Sequence, residues 1–537
     1  QGRILVLCRD SMKLTIDIAT IPEEEKSELV VLLLEIIRQQ AETIQELKDE
    51  IARLKGGNPR PKIEPSRLEP ARKEKPEGGE QKRPGSDKRH KSVELVIHDE
   101  LKVPAVGVPE GAKFKGYKEF IVQDLHISSH NIKYLLECWQ TPEGGYVIAD
   151  PPAELAGKHF GVELVRFILY QYYHCHVTQP MLLEQLREIG VDISAGQLSN
   201  ILIGNNADFH QEKEDILAVG LEVSSYVNVD DTGARHQGQN GYCTFVGNEL
   251  FSWFESTATK SRINFLRLLR AGHTDYVINA DAAAYWELHG LPRAVMEILN
   301  VEQPRVLADD PQWHQYLEQK GIKRARHIQI ATEGALFASI LEHGVSRELI
   351  IVSDDAGQFN VLLHALCWIH AERSINKITP VSEKGKEDLE NVRGKLWGLY
   401  EDLKAYKVHP DDAVAERLER LFDEIFTTKT HSASLNNALG RIYRNKSELL
   451  LVLRHPETPL HNNLGENDIR EYVKKRKISG GTRSEAGRRS RDTFTSLKKT
   501  CRKLRVSFWE YLRDRLAKTQ LIPKLAQLIR ARSTQPA

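Results

Sequence analysis

The segment RELIIVSDDAGQF constrains this chain more than any other, because Leu349 to Val352 is apolar at every position and ends at Asp354 and Asp355. A strand with no polar alternation is buried on both faces, so it predicts a central strand with helices on either side. Carboxylates at the exit of such a strand lie at a sheet edge where ligands bind. An earlier segment supplies a partner. From Val223 the pattern turns to period two, and VSSYVNVDDTGARH reads as a strand ending in Asp230 and Asp231. GYCTFVGNEL and FSWFESTAT are two further strand candidates, with turns at Asn240-Gly241 and Gly247-Asn248. A helix with Ile263, Leu266 and Leu269 on its apolar side follows. The third acidic position comes from HNNLGENDIREYVKKRK, where Glu466 and Arg470 stand one helical turn apart on one face.

Any one of these acids alone is an ordinary strand-end or surface residue. Their order carries the argument: an Asp on a first strand, an Asp ending a later buried strand, and a Glu on a basic helix. Strand, strand, strand, helix with an Asp on the first strand resembles the opening of a ribonuclease H-like domain. Phosphodiester chemistry needs an activated oxygen nucleophile and a stabilised leaving oxyanion. Two Mg²⁺ ions roughly 3.5–4 Å apart provide both, and hard cations take oxygen ligands. Asp230, Asp354 and Glu466 are therefore the candidate catalytic and metal-binding residues, with Mn²⁺ as a substitute ion.

The expected fold class is multidomain α+β. A ribonuclease H-like α/β catalytic domain over 221–475 carries an insertion near 273–345 and a mostly helical one near 376–460, where Leu389, Val392, Leu396, Leu399 and Leu403 fall at helical spacing. Ahead of it, 1–23 is an N-terminal segment and 24–55 a coiled-coil helix. There Val30, Ile37, Ile44 and Ile51 occupy heptad position a, with Leu33, Leu47 and Leu54 at d and Gln40 at the remaining d site. Such a helix dimerises or packs on its own domain. Residues 56–92, with Pro59, Pro61, Pro65, Pro70, Pro76 and Pro84 among Lys, Arg and Glu, read as a disordered basic linker. The runs LVIHDELKV, KEFIVQDLHI and IKYLLECW, with a turn at PEGG, predict a small β module over 93–152. Residues 153–220 are helical. Within them, TQPMLLEQLREIGVDISAGQLSNILIG reads as two helices about Gly190, with a Ser194/Gln197 capping box. That pattern fits a helix-turn-helix DNA reader or a packing element.

The chain is formally neutral, with 75 basic and 75 acidic residues, but the sum hides an asymmetry. From Leu460 onward roughly twenty Lys and Arg face seven Asp and Glu. The basic C-terminal helical region, 476–537, is thus either a polyanion-binding surface or a solvated helical face. Six cysteines without a C-x-x-C pair argue against a disulfide framework or a Cys₄ zinc site. No apolar run is long enough for a membrane span, and the opening QGRILVLCRDSMKL has no signal-peptide pattern. A cytoplasmic, nucleoid-associated protein is the expectation.

Three motifs together resemble the insertion-sequence-66 family, a bacterial group of DDE transposases. VNVDDTGARH is similar to that family's first catalytic segment, and SDDAGQF followed by CWIHAER to its second, with Cys367, Trp368, His370 and Arg373. HNNLGENDIR matches its Asn-Asn-x-x-Glu-x-x-x-Arg element through Asn462, Asn463, Glu466 and Arg470, the most specific of the three. The resemblance implies cleavage at transposon ends and strand transfer into target DNA, dimeric or larger assembly through 24–55, and accessory helper proteins. Asp231, Asp355, His370, Asn463 and Arg470 are candidates for supporting roles, His370 for a hydrogen bond near the metals, for orienting a phosphate or a water, or for plain packing. Cys367 with His370 offers too few ligands for zinc. Where relatives carry cysteine pairs before the helix-turn-helix, this chain has only Cys138, so no structural zinc is expected. Lys474, Lys475, Arg476, Lys477, Arg483, Arg488 and Arg489 follow Glu466 closely and are the candidate DNA contacts. A nuclease that only hydrolyses, or a non-catalytic DNA-binding relative, are the competing readings.

Overall fold

A computed structural model describes positions 30, 33, 36, 37 and 40 together with residues 95–152, 159–299, 303–380 and 382–534. The five early positions are helical. The rest of the expected coiled coil and the linker 56–92 lie outside the described residues. Residues Pro70–Asn131 form a unit of their own, and 95–131 within it contain neither helix nor strand. The expected β module is thus reduced to one hairpin in the larger unit, β1 (Cys138–Gln140) with β2 (Tyr146–Ile148), turning at PEGG. LVIHDELKV and KEFIVQDLHI have strand-forming residues but no strand to pair with, and pattern alone does not make a sheet.

Helices α1 (Val162–Leu169), α2 (Gln179–Glu188), α3 (Ala195–Ile203) and α4 (Ala207–Val223) precede the central sheet. A π-helical turn, Tyr170–His174, continues α1. Ser194 Oγ accepts from the Gln197 amide and Gln197 returns the bond, so α3 starts on the capping box its sequence encodes.

The sheet has the order β5-β4-β3-β8-β9. Strands β3 (Tyr226–Gly233), β4 (Tyr242–Gly247) and β5 (Ser252–Thr257) are antiparallel neighbours. After α5 (Arg262–Leu269) the chain leaves the sheet. It forms a two-stranded ribbon, β6 (Tyr276–Ile278) with β7 (Arg305–Leu307), and helices α6 (Ala280–Leu288), α7 (Arg293–Leu299), α8 (Asp310–Gln319) and α9 (Ala325–Glu342). It returns as β8 (Ile350–Ser353), parallel to β3, and β9 (Leu363–Leu366), parallel to β8. Next come α10 (Trp368–Asn376), α11 (Glu383–Val408), α12 (Asp412–Thr427), α13 (Ala433–Arg444) and α14 (Lys446–Leu449), which close a separate core around Leu396, Tyr400 and Phe422. The chain ends in α15 (Asn463–Ser479), α16 (Glu485–Lys503), α17 (Phe508–Ala517) and α18 (Leu525–Ser533).

Both sheet faces are covered. Val227, Val229, Val246 and Trp253 join the main core, while Phe245 and Phe254 pack with Ile469 and Tyr472 of α15. Helix α16 closes the open edge of β5 in an unusual way. Asp492, Ser496 and Thr500 accept the free amides of Ser256, Phe254 and Ser252 at 2.8, 2.9 and 3.1 Å. Four helical residues advance about 6 Å and two strand residues about 6.6 Å, so the two spacings stay in step. Much of the basic C-terminal region is consequently edge-capping structure.

Candidate active site

Asp230 lies in the interior of β3, opposite Phe245, and not at the strand's end as its sequence suggests. The strand runs on to Gly233 because its pairing with β4 continues to Tyr242, and Arg476 of α15 also holds Thr232 Oγ1 and the Gly233 carbonyl. Parallel pairing of β3 with β8 covers Tyr226–Asn228 against Ile350–Val352 and stops there. Beyond that point the strands part. Asp230 and Asp354 flank the opening, at the carboxyl ends of parallel strands.

Strand alternation then sorts the first doublet. Asn228 and Asp230 share the face toward α15, and Asn228 Nδ2 donates to Asn462 Oδ1 at 2.8 Å. Asp231 faces the other way, taking 2.7 Å donation from Gln358 Nε2 and lying 3.7 Å from Lys260 Nζ. The second doublet divides similarly. Asp354 Oδ1 accepts from the Ala356 amide at 3.2 Å, whereas Asp355 turns to Asn445, Glu448 and Arg441 at the helical insertion.

Glu466 arrives on the first turn of α15, and Asn462 sets its position. The buried Asn462 donates from Nδ2 to the Val229 carbonyl at 2.7 Å, and its amide reaches Cys367 Sγ at 3.2 Å. One residue thereby ties α15 to β3 through its side chain and to the start of α10 through its backbone N–H. Asn462, and not the expected Asn463, is the supporting asparagine. Gly465 makes this possible, since a Cβ there would lie 2.6 Å from Asn462 Oδ1. Arg373 Nη1 donates to Glu466 Oε1 at 3.0 Å, His370 Nε2 lies 3.8 Å from the same oxygen, and Arg470 Nη2 reaches Glu466 Oε2 at 3.4 Å. Cys367 is a buried packing thiol, pushed up to about 11 by burial, and Trp368 donates to the Leu449 carbonyl at 2.9 Å.

The electrostatics show how closely the acids gather. Burial, then the negative charges of Asp354 and Asp231, and more weakly Glu466, push the Asp230 carboxyl up to about 8. Burial likewise lowers His370, against the pull of Asp354 and Glu466, and its Nδ1 is buried without a partner. Burial is the first cause of that rise, and uncompensated charge on the neighbouring carboxylates, a deficit of nearby cations, adds to it. Oxygen donors with that deficit fit hard divalent cations.

Residues 335–490 match the family described as Transposase IS66 family. A protein of Sinorhizobium fredii (strain NBRC 101917 / NGR234), named "Uncharacterized protein y4jO", is 42% identical over 321 residues, which is all of that protein and 59% of this chain. The chain belongs to the IS66 transposase family. The family match begins in α9 and ends in α16, so it spans Asp354, the motif of α10, the helical insertion and Glu466. Asp230 precedes it.

Of the basic residues expected on the DNA side of this IS66-family chain, Lys474, Lys477, Arg483 and Arg489 are exposed. Lys475 is not on that surface. It is 3% exposed, with Nζ donating to the Tyr172 carbonyl at 2.8 Å, and burial drives it down to about 7. The π-helical turn leaves carbonyls that α-helical bonding would have used, and Lys475 and Lys498 satisfy two of them. Arg476 is spent on the end of β3, and Arg488 on Glu485 and the Ser256 carbonyl. Lys260 and Gln358 were not among the residues the motifs assigned to the site, and Asn462 stood in its motif without an assigned role. Lys260 and Gln358 stand 29 and 127 positions from the Asp231 they contact, and only the fold joins them.

Proposed function

We propose that this chain is a DNA transposase that cleaves at transposon ends and joins the freed 3′ hydroxyl to target DNA. Membership in the IS66 transposase family supports a transposase-type function, with DNA as partner and divalent metal as requirement. The observation that carries the finer reading is the convergence of Asp230, Asp354 and Glu466 from two strands and a helix, with Asp230 pushed up to about 8. The sheet order, with Asp230 on the first of three antiparallel strands and Asp354 at the exit of the parallel fourth, supports a ribonuclease H-like reading of the domain.

In this reading Asp230, Asp354 and Glu466 hold two divalent ions, Mg²⁺ or Mn²⁺. When bound, these supply an activated oxygen nucleophile and stabilise the leaving oxyanion. Asp230, inside β3, and Asp354, just beyond β8, are carried by buried strands, which fixes the spacing of their oxygens. Asn462 sets the height of Glu466, and Arg373 restrains its Oε1. His370 and Arg373, beside Glu466, are placed to take a phosphate oxygen. The exposed Lys474, Lys477, Arg470 and Arg483 extend positive charge along the flanking strand. The α2–α3 pair is the proposed duplex-reading element, and 24–55 the proposed oligomerisation helix.

The test is nicking and joining of labelled DNA carrying candidate transposon ends, with Mg²⁺, Mn²⁺ or EDTA. Wild type is compared with Asp230→Asn, Asp354→Asn and Glu466→Gln. Metal-dependent joining lost in all three variants is the expected result. Metal-dependent nicking without joining, under conditions that include the proteins encoded beside the chain, would reduce the reading to a hydrolytic nuclease. Activity retained by any one variant would strike that residue from the set.

A further inference from the structure

The 273–345 insertion carries a second cluster of metal-ligating side chains, remote in sequence from the carboxylate centre. His273 lies in the turn after α5, Asp275 opens β6, and His343 caps the C-terminal end of α9. One donor atom from each lies within 4.8 Å of the others. His343 Nε2 is 2.8 Å from Asp275 Oδ1, and the imidazoles of His273 and His343 stack with centroids 3.5 Å apart. Two donors on one tetrahedral ion stand about 3.3 Å apart, so the His343–Asp275 spacing is already close to a ligand edge.

We propose that His273, Asp275 and His343 bind a divalent transition ion of the zinc class. Two imidazoles and one carboxylate suit zinc, nickel or cobalt, whereas Mg²⁺ prefers all-oxygen sites. The supports of the site are in place. Buried Ser339 donates to Asp275 Oδ1 at 3.2 Å, and Arg270 Nη1 donates to the Asp275 carbonyl at 2.7 Å. Outer partners of this kind fix a ligand's orientation. His343 ends an 18-residue helix, α9, whose C-terminal carbonyls favour a cation. Arg270 is the opposing charge nearby, but its guanidinium is committed to the Asp275 carbonyl and the face of Tyr276. Coordination by both rings requires one to turn out of the stack, which half-exposed side chains allow. The ion would close the loop between residues 273 and 343 and fasten α9, which leads into β8 and Asp354. No cysteine takes part, so cysteine spacing gives no sign of this site.

The experiment titrates the full chain with Zn²⁺ by calorimetry in excess Mg²⁺, which competes at the carboxylate centre, and with Co²⁺ by visible absorption. Wild type, His273→Gln and His343→Gln are compared. One Zn²⁺ per chain with micromolar or tighter affinity, a raised unfolding temperature and cobalt bands in the visible are expected. Each variant should weaken binding by at least about tenfold while its metal-free unfolding temperature is unchanged. Zn²⁺ binding and cobalt bands that survive in both variants, or an affinity no better than millimolar in wild type, would overturn the proposal.

Discussion

Helix α15 presents two kinds of buried charge, and they differ in balance. Toward the sheet crevice, Glu466 stands near Asp230 and Asp354, and burial, then the charges of Asp354 and Asp231, leave Asp230 holding its proton up to about 8. Toward α16, the acids are matched. Asp468 pairs with Lys499 and Lys503 at 2.6 Å each, and Glu471 with Lys498 at 2.7 Å and His176 at 2.8 Å. Both Asp468 and Glu471 are held below their ordinary values. The matched side is architecture, fastening α15 to α16 and to the π-helical turn. The unmatched side is the proposed metal site. The contrast teaches that buried acids mark function when the protein leaves them uncompensated.

The largest effect should come from Asp230→Asn. Strand cleavage should fall by at least about 10³-fold if the side chain holds metal. Stability should move the other way. The folded value of Asp230, about 8, lies above the ordinary 3.8, so its contribution is present at low pH and lost as pH rises toward 8. Removing the charge should leave the metal-free protein at pH 8 as stable as wild type or more so, and Mg²⁺ should stabilise wild type alone. Thermal unfolding at pH 5 and pH 8, with and without Mg²⁺, measures this. A variant less stable than wild type at pH 8 without metal would break the contrast from the functional side.

Glu471→Gln probes the matched side. It leaves Lys498, buried beside the Tyr173 carbonyl, without its anion, and should cost about 3 kcal/mol. Here the sign is opposite. A depressed carboxylate stabilises the fold above its unfolded value, and that contribution disappears as pH falls below about 4. Chemical denaturation at pH 7 and pH 3 should show the variant's deficit shrinking in acid.

The two sides also differ in how far the sequence reveals them. Asp230, Asp354 and Glu466 are legible because each follows a strong local pattern: a period-two strand, a fully apolar strand, and a motif on a helix start. The helical insertion is legible for the same reason, through Leu389, Val392, Leu396, Leu399 and Leu403. The matched charges are illegible. VKKRK reads as one basic run, yet Lys475 points inward because a π turn some 300 residues earlier left a carbonyl unpaired. No local signal encodes that π turn or the side-chain ladder from α16 to β5. The strands expected at 95–127 failed for the converse reason, a good local pattern with no partner.

Gly465→Ala tests how the sides are joined. The added Cβ would press on Asn462 Oδ1 from 2.6 Å and must shift either the amide or the helix start. A cost of about 1–3 kcal/mol is expected. Because Asn462 also sets Glu466, cleavage should fall further than stability alone accounts for. Activity measured at a temperature where the variant is fully folded separates the two. Full activity there would mean that the Asn462 clamp does not place Glu466.

The smallest effect discriminates two lysines two residues apart. Lys477 is exposed, and if it neutralises a phosphate, Lys477→Gln should reduce the slope of log affinity against log salt by about 0.9 without altering stability. Lys475 has its ammonium on the Tyr172 carbonyl and over the Tyr172 ring at 3.6 Å. Lys475→Gln should leave the slope untouched and lower the unfolding temperature. Because burial holds Lys475 near 7, below its ordinary 10.5, its proton is lost more readily in the folded chain. Its contribution to stability is therefore greatest above the unfolded value, and acidification from pH 10 toward pH 7 should weaken it. A salt slope that changed with Lys475 as much as with Lys477 would mean that the helix turns this residue outward on DNA, and that charge buried in the free chain can still be recruited to the strand.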